Sequence, residues 1–94
     1  MQNRFKLTAE ERIIVRKYYS ANMRRLREAL GMYQEELAFA LGTTQRHISD
    51  IENGKARISW TLVLAFSSFL QQYPELWKGD EENLLIYWNG KKGE

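Results

Sequence analysis

The chain has no cysteine, a single histidine and a single proline among its 94 residues. Without cysteine there is no disulfide framework, no thiolate nucleophile and no thiolate zinc ligand. The one histidine, His47, lacks the second and third ligands that a zinc site requires, so no metal is expected. No HExxH pattern, glycine-rich phosphate loop or nucleophile elbow occurs. The adjacent pairs Glu35-Glu36 and Glu81-Glu82 point in two directions on a helix and cannot flank one substrate atom. They read as helix N-terminal charge. Neither an enzyme activity nor a cofactor is expected. No apolar run approaches the roughly 20 residues of a membrane span. The first twelve residues, MQNRFKLTAEER, lack the apolar core of a signal peptide. A cytoplasmic protein with no membrane partner is the expectation.

What is present suits one small, ordered domain. Hydrophobic residues make up 44% and aromatics 13%, enough for one compact core. Net charge is only +2, but it is unevenly spread. Residues 1–60 carry 11 Lys/Arg against 7 Asp/Glu, and residues 61–94 carry 3 against 5. The first part is therefore net +4 and the remainder net −2, as expected if the first part faces a polyanion.

The periodicity is helical throughout. After a short arm containing Arg4 and Lys6, Thr8 and Glu11 form a capping-box pattern. Val15, Tyr19, Met23, Leu26 and Leu30 then recur as one stripe, which predicts a single helix from about Ala9 to Leu30. At 1.5 Å per residue that helix is roughly 33 Å long. A break near Ser20–Asn22 is the alternative, because both residues favour caps. Ile13, Ile14 and Tyr18 lie off the stripe and give the first half a second apolar face. Short helices are predicted over residues 34–41 and 45–52, with a further helix over about Trp60–Gln71 capped by Ser59. Pro74 punctuates, and residues 75–77 suggest a helical turn. Residues 80–89 read as a helix, although LLIYW is also a β-rich run. Trp60, Trp77 and Trp88 lie in apolar stripes and read as core or interface rather than as stacking platforms.

The stretch from Gln34 to Asn53 suggests the function. Leu37, Ala38 and Leu41 share one face of its first helix, and Ile48 and Ile51 one face of its second. Gly42 is placed to end the first helix in the left-handed conformation, and Thr44 to cap the second. Ala38 and Gly42 also supply small residues where the helices cross. Gln45, Arg46, Ser49 and Asp50 face outward, and such side chains hydrogen-bond to base edges and phosphates.

At these residues the chain resembles the helix-turn-helix family of phage Cro and repressor proteins, also called the XRE family. The resemblance rests on Gln34, Glu35-Glu36-Leu37-Ala38, Leu41-Gly42, Thr44, Ile48-Ser49 and Ile51-Glu52-Asn53-Gly54-Lys55, and covers about Met23 to Leu70. It implies an all-α, lambda-repressor-like bundle of five to six helices. It also implies that Thr44, Gln45, Arg46, Ser49 and Asp50 read bases in double-stranded DNA. Gln34, Asn53, Lys55 and Arg57 would contact phosphates, His47 would contact a phosphate or pack, and Gln34 would also pack against Gln45. Arg27 would pair with Glu52 to tie the first core helix to the reading helix. Ile58 stands where the family often has proline.

The resulting organisation is an N-terminal arm and extra helix over 1–22, the DNA-binding domain over 23–72, and an aromatic tail over 73–94. The expected function is a transcriptional regulator, a repressor that binds a palindromic operator as a homodimer. The tail with the fourth helix, or the Ile13/Ile14/Tyr18 face, would form the dimer. Two alternatives remain: an antitoxin whose N-terminal helix or tail covers a toxin, and a protein-interaction module that has lost DNA binding.

Overall fold

A computed structural model describes residues 7–76. Helix α1 spans Ala9–Ala29, α2 Gln34–Leu41, α3 Gln45–Glu52 and α4 Trp60–Leu70, followed by one 3-10 turn at Pro74–Leu76. The expected count of five to six helices is not matched: the described residues hold four α-helices and that turn. The additional helix expected over 80–89, with the Leu84–Trp88 segment, Trp77 and Trp88, lies outside the described residues.

The long helix starts as its sequence dictates. The Thr8 hydroxyl accepts the Glu11 N–H (3.1 Å), and the Glu11 carboxylate accepts the Thr8 N–H (2.8 Å). The helix then runs unbroken through Ser20–Asn22. Asn22 is accommodated because its amide donates to the Tyr18 carbonyl one turn back (2.9 Å) and accepts from Arg25 Nε (2.9 Å). Those bonds occupy the side chain that would otherwise compete for the backbone.

Four residues of the α1 stripe, Val15, Tyr19, Met23 and Leu26, are buried, whereas Leu30 caps the helix and is only partly buried. They meet Leu37, Ala38 and Leu41 of α2, Ile48 and Ile51 of α3, and Leu62, Val63, Phe66 and Leu70 of α4 in one core. Each fully buried side chain of this kind contributes about 2 kcal/mol relative to exposure. The Tyr19 ring lies 5.5 Å from Phe66, centroid to centroid. Burial pushes the Tyr19 phenol well above its ordinary range, against a hydrogen bond with Ser67 that pulls it down. That bond also satisfies Ser67, the one buried polar residue of the described core.

Two small helices depend on this core. At eight residues each, α2 and α3 are too short to hold themselves in water. Gly42 joins them at φ +75°, the left-handed region favoured by glycine. A Cβ built on Gly42 meets nothing within 4 Å. Its role is therefore conformational, and the expectation that it is small because the helices cross there is corrected. Ala38 is buried in the core.

The second apolar face of α1 divides. Tyr18 packs against the core, whereas Ile13 and Ile14 remain more than half exposed. Tyr33 and Phe39 are also exposed. Trp60 is partly buried, with the Arg12 guanidinium 5.3 Å from its ring centroid.

Candidate nucleic-acid interface

Helix α3 is held at three points, and each leaves its outer face free. The first is its N-terminus, where the Thr44 hydroxyl accepts the His47 N–H (3.1 Å). The second is its inner face, where Ile48 and Ile51 are buried. The third is its C-terminus, where Asn53 ends the helix and Gly54 turns at φ +76°. The Asp50 carbonyl then accepts the Lys55 N–H (2.7 Å) and the Ala56 N–H (3.2 Å). These bonds set the path of the following loop, on which Lys55 and Arg57 are exposed.

Behind the outer face lies a polar network that crosses three helices. Arg27 Nε and Nη2 donate to the two carboxylate oxygens of Glu52 (2.7 and 3.1 Å), a bidentate arrangement. Arg27 Nη1 donates to the Met32 carbonyl (2.9 Å), at the turn into α2. Gln34 Nε2 donates to Glu52 Oε1 (3.0 Å), and Gln45 Nε2 donates to Gln34 Oε1 (2.9 Å). The chain of bonds thus runs from α1, through the last residue of α3, to the first residues of α2 and α3.

The charges at its centre are withdrawn from water: the side chains of Arg27 and Glu52 are 11% and 3% exposed. Burial pushes the Glu52 carboxyl up. Hydrogen bonds from Arg27 and Gln34, with the attraction of Arg27 and Arg24, more than offset this and hold it below its ordinary value. The Glu52 hydrogen bond raises Arg27 further against its desolvation. The pair anticipated at Arg27 and Glu52 is present, and so is the Gln34–Gln45 contact. The Gln34–Glu52 bond and the Arg27–Met32 bond were not anticipated. Partners 18 residues apart leave no periodic mark in one sequence, and a backbone carbonyl leaves none at all.

The outer face gathers most of the expected reading residues. Gln45 and Arg46 are exposed, and Ser49 and Asp50 partly so. Arg46 Nε sits 3.7 Å from Asp50 Oδ2, too long for a hydrogen bond but close enough for Coulomb attraction. Asn53 Nδ2 donates to Ser49 Oγ (3.3 Å). Each pair spans one helical turn, so both lie along the same surface. Gln45 is committed on one side, because one amide N–H goes to Gln34. Its other N–H and its carbonyl oxygen remain for the two-bond contact that an adenine edge accepts.

His47 is not brought to this surface. It lies partly buried beside Leu41, Ser59 and Leu62, on the α4 side of α3. Thr44 is exposed but commits its hydroxyl to the cap. Gln34, Asn53, Lys55 and Arg57 stand around the edges of α3, at the start of α2 and in the loop that follows α3. Among the described residues, no group of three or more His, Asp or Glu side chains is arranged to hold a metal ion. No helix among them is long and apolar enough to cross a membrane.

Comparison with known proteins adds one finding. A family model described as helix-turn-helix matches residues 23–77, more than half of the chain. No curated protein and no solved structure gives a significant match.

Proposed function

The chain belongs to the XRE-type helix-turn-helix family of DNA-binding regulators, and from that premise we propose that it is a repressor that occupies a palindromic operator as a homodimer. The observation that carries this reading is the double character of α3. It is fixed from behind by a buried ion pair and open in front with Gln45, Arg46, Ser49 and Asp50. A rigid polar helix of this length fits the major groove of B-DNA, where each base pair shows a distinct donor and acceptor pattern.

In this proposal Arg46 donates to guanine and Gln45 to adenine. Asp50 either accepts from a cytosine amino group or orients Arg46, and Thr44 and Ser49 complete the base-reading set. Gln34, Asn53, Lys55 and Arg57 take phosphates, and His47 supports the helix at its edge. One such helix reads only a few base pairs, so two copies on a two-fold site supply the specificity a regulator needs. The fourth helix together with residues 73–94 forms the dimer surface.

Selection of bound sequences from random duplex DNA tests the proposal. The expected result is a palindrome whose half-sites lie one helical turn apart. Arg46→Ala is expected to relax preference at one base by about 1–3 kcal/mol, while Lys55→Ala weakens all sequences about equally. An unaltered preference in Arg46→Ala would overturn the assignment of the reading face. Enrichment of a single, unrepeated half-site would overturn the dimer.

A further inference from the structure

Beside the α3–α4 loop, residues 13–21 of α1 form one wall of an open groove of about 750 Å³. The family match begins at residue 23, so this wall is an addition to the matched region. Arg16 fixes it in place: its Nε donates to the Ile58 carbonyl (3.0 Å), a bond between residues 42 apart. Ile13 presents the exposed apolar surface of the groove, over the buried Ile51 and Ile58, and Arg16, Lys17 and Arg57 line the groove as cations. Among the described residues Glu52 is the only acid lining it, and its carboxylate is taken by Arg27 and Gln34. Lys17 and Arg57 form no ion pair among the described residues.

We propose that this groove seats the sugar–phosphate backbone of the duplex that α3 reads, with Lys17 as a phosphate contact contributed by the extended first helix. The inference rests on the DNA-binding reading above. Charge complementarity supports it, because unpaired cations face an opening whose one acid is neutralised from behind. Continuity supports it too, because Arg57 lies both in the groove and in the loop expected to hold phosphates. The exposed Ile13 beside the cations suits a nucleic-acid backbone, in which deoxyribose carbons separate the charges. The extension of α1 would then widen the footprint on DNA without reading any base.

The test compares the full chain with Lys17→Ala and Lys17→Glu, using Lys55→Ala as the reference for a loop contact. Affinity for a selected operator with long flanks is measured from 50 to 200 mM salt, and phosphate-ethylation interference maps the contacts. Lys17 is exposed, so these variants are expected to fold. Lys17→Ala is expected to lower the slope of log affinity against log salt by about 1, with sequence preference unchanged. At low salt its affinity is expected to fall about threefold, and that of Lys17→Glu about tenfold. Interference is expected to vanish at one or two phosphates that Lys55→Ala leaves unaffected. If Lys17→Ala keeps the wild-type slope and contacts while Lys55→Ala does not, the groove proposal falls and the regulator reading stands. If Lys17→Glu instead shifts only the monomer–dimer equilibrium in sedimentation, the groove belongs to a second copy and the proposal falls. If the wild-type chain binds no duplex even at 50 mM salt, both readings fall.

Discussion

Two arginine–carboxylate pairs meet helix α3, and their carboxylates are only two residues apart in sequence. Arg27–Glu52 lies on the inner side at 2.7 Å, with both side chains nearly removed from water. Arg46–Asp50 lies on the outer side at 3.7 Å, with side-chain exposures of 89% and 32%. The chemistry is the same and the consequences are opposite. The inner pair is bidentate, shares its carboxylate with Gln34 and is largely withdrawn from water. The outer pair is loose and solvated, so a competing partner can separate it at little cost. One pair sets where the helix sits, and the other is available for what the helix meets.

Removing one inner partner gives the largest expected effect. Glu52→Ala leaves the Arg27 charge buried without compensation and is expected to cost about 3 kcal/mol, read as a lower urea midpoint. Replacing both partners together by apolar residues of similar volume is expected to recover most of that loss. If Glu52→Ala costs no more than a surface substitution, the contrast between the two sides of α3 collapses.

Acid sharpens the same contrast. The Glu52 carboxyl is held below its ordinary value of 4.5 in the folded chain, so the unfolded chain binds more protons in that range. The stability it contributes is present above the ordinary value and is lost as pH falls through the lower, folded one. Unfolding midpoints measured between pH 6 and pH 2.5 should therefore fall more steeply for the wild type than for Glu52→Gln, which has no carboxyl to titrate there.

A smaller effect belongs to the N-terminus of α3. Thr44→Ala removes the hydroxyl that accepts the His47 N–H and is expected to cost about 1 kcal/mol of stability. The smallest belongs to the outer pair: Asp50→Ala is expected to change thermal stability by less than about 0.5 kcal/mol. Its effect should emerge in which operator is preferred. A large stability loss in Asp50→Ala would show that the outer face is structural after all.

Local chemistry made much of this legible from sequence. Thr8 with Glu11, Thr44 and Ser59 cap the helices they were expected to cap, because each cap is satisfied within three residues. Most of the α1 stripe is buried because its spacing is a property of one helix. Tyr33 was harder, since tyrosine is no signal for a helix start. There Glu36 provides the bond instead, accepting the Tyr33 N–H (2.8 Å). What sequence could not reveal is long-range: the Gln34–Glu52 bond, the Arg16–Ile58 bond and the position of His47 on the α4 side. Those depend on how helices approach one another, which no period within a helix records.

The inner network also bears on motion. An eight-residue helix in isolation would open and close continually. Here the ends of α3 are chained to Arg27 and Gln34, so it cannot unwind without breaking the buried charge pair that joins it to α1. Its amide hydrogens should therefore exchange with solvent only when the whole domain opens, as slowly as those of Met23 and Leu26. A helix whose backbone is already fixed before it meets a partner loses little further backbone freedom on contact, so more of each new bond would survive as affinity.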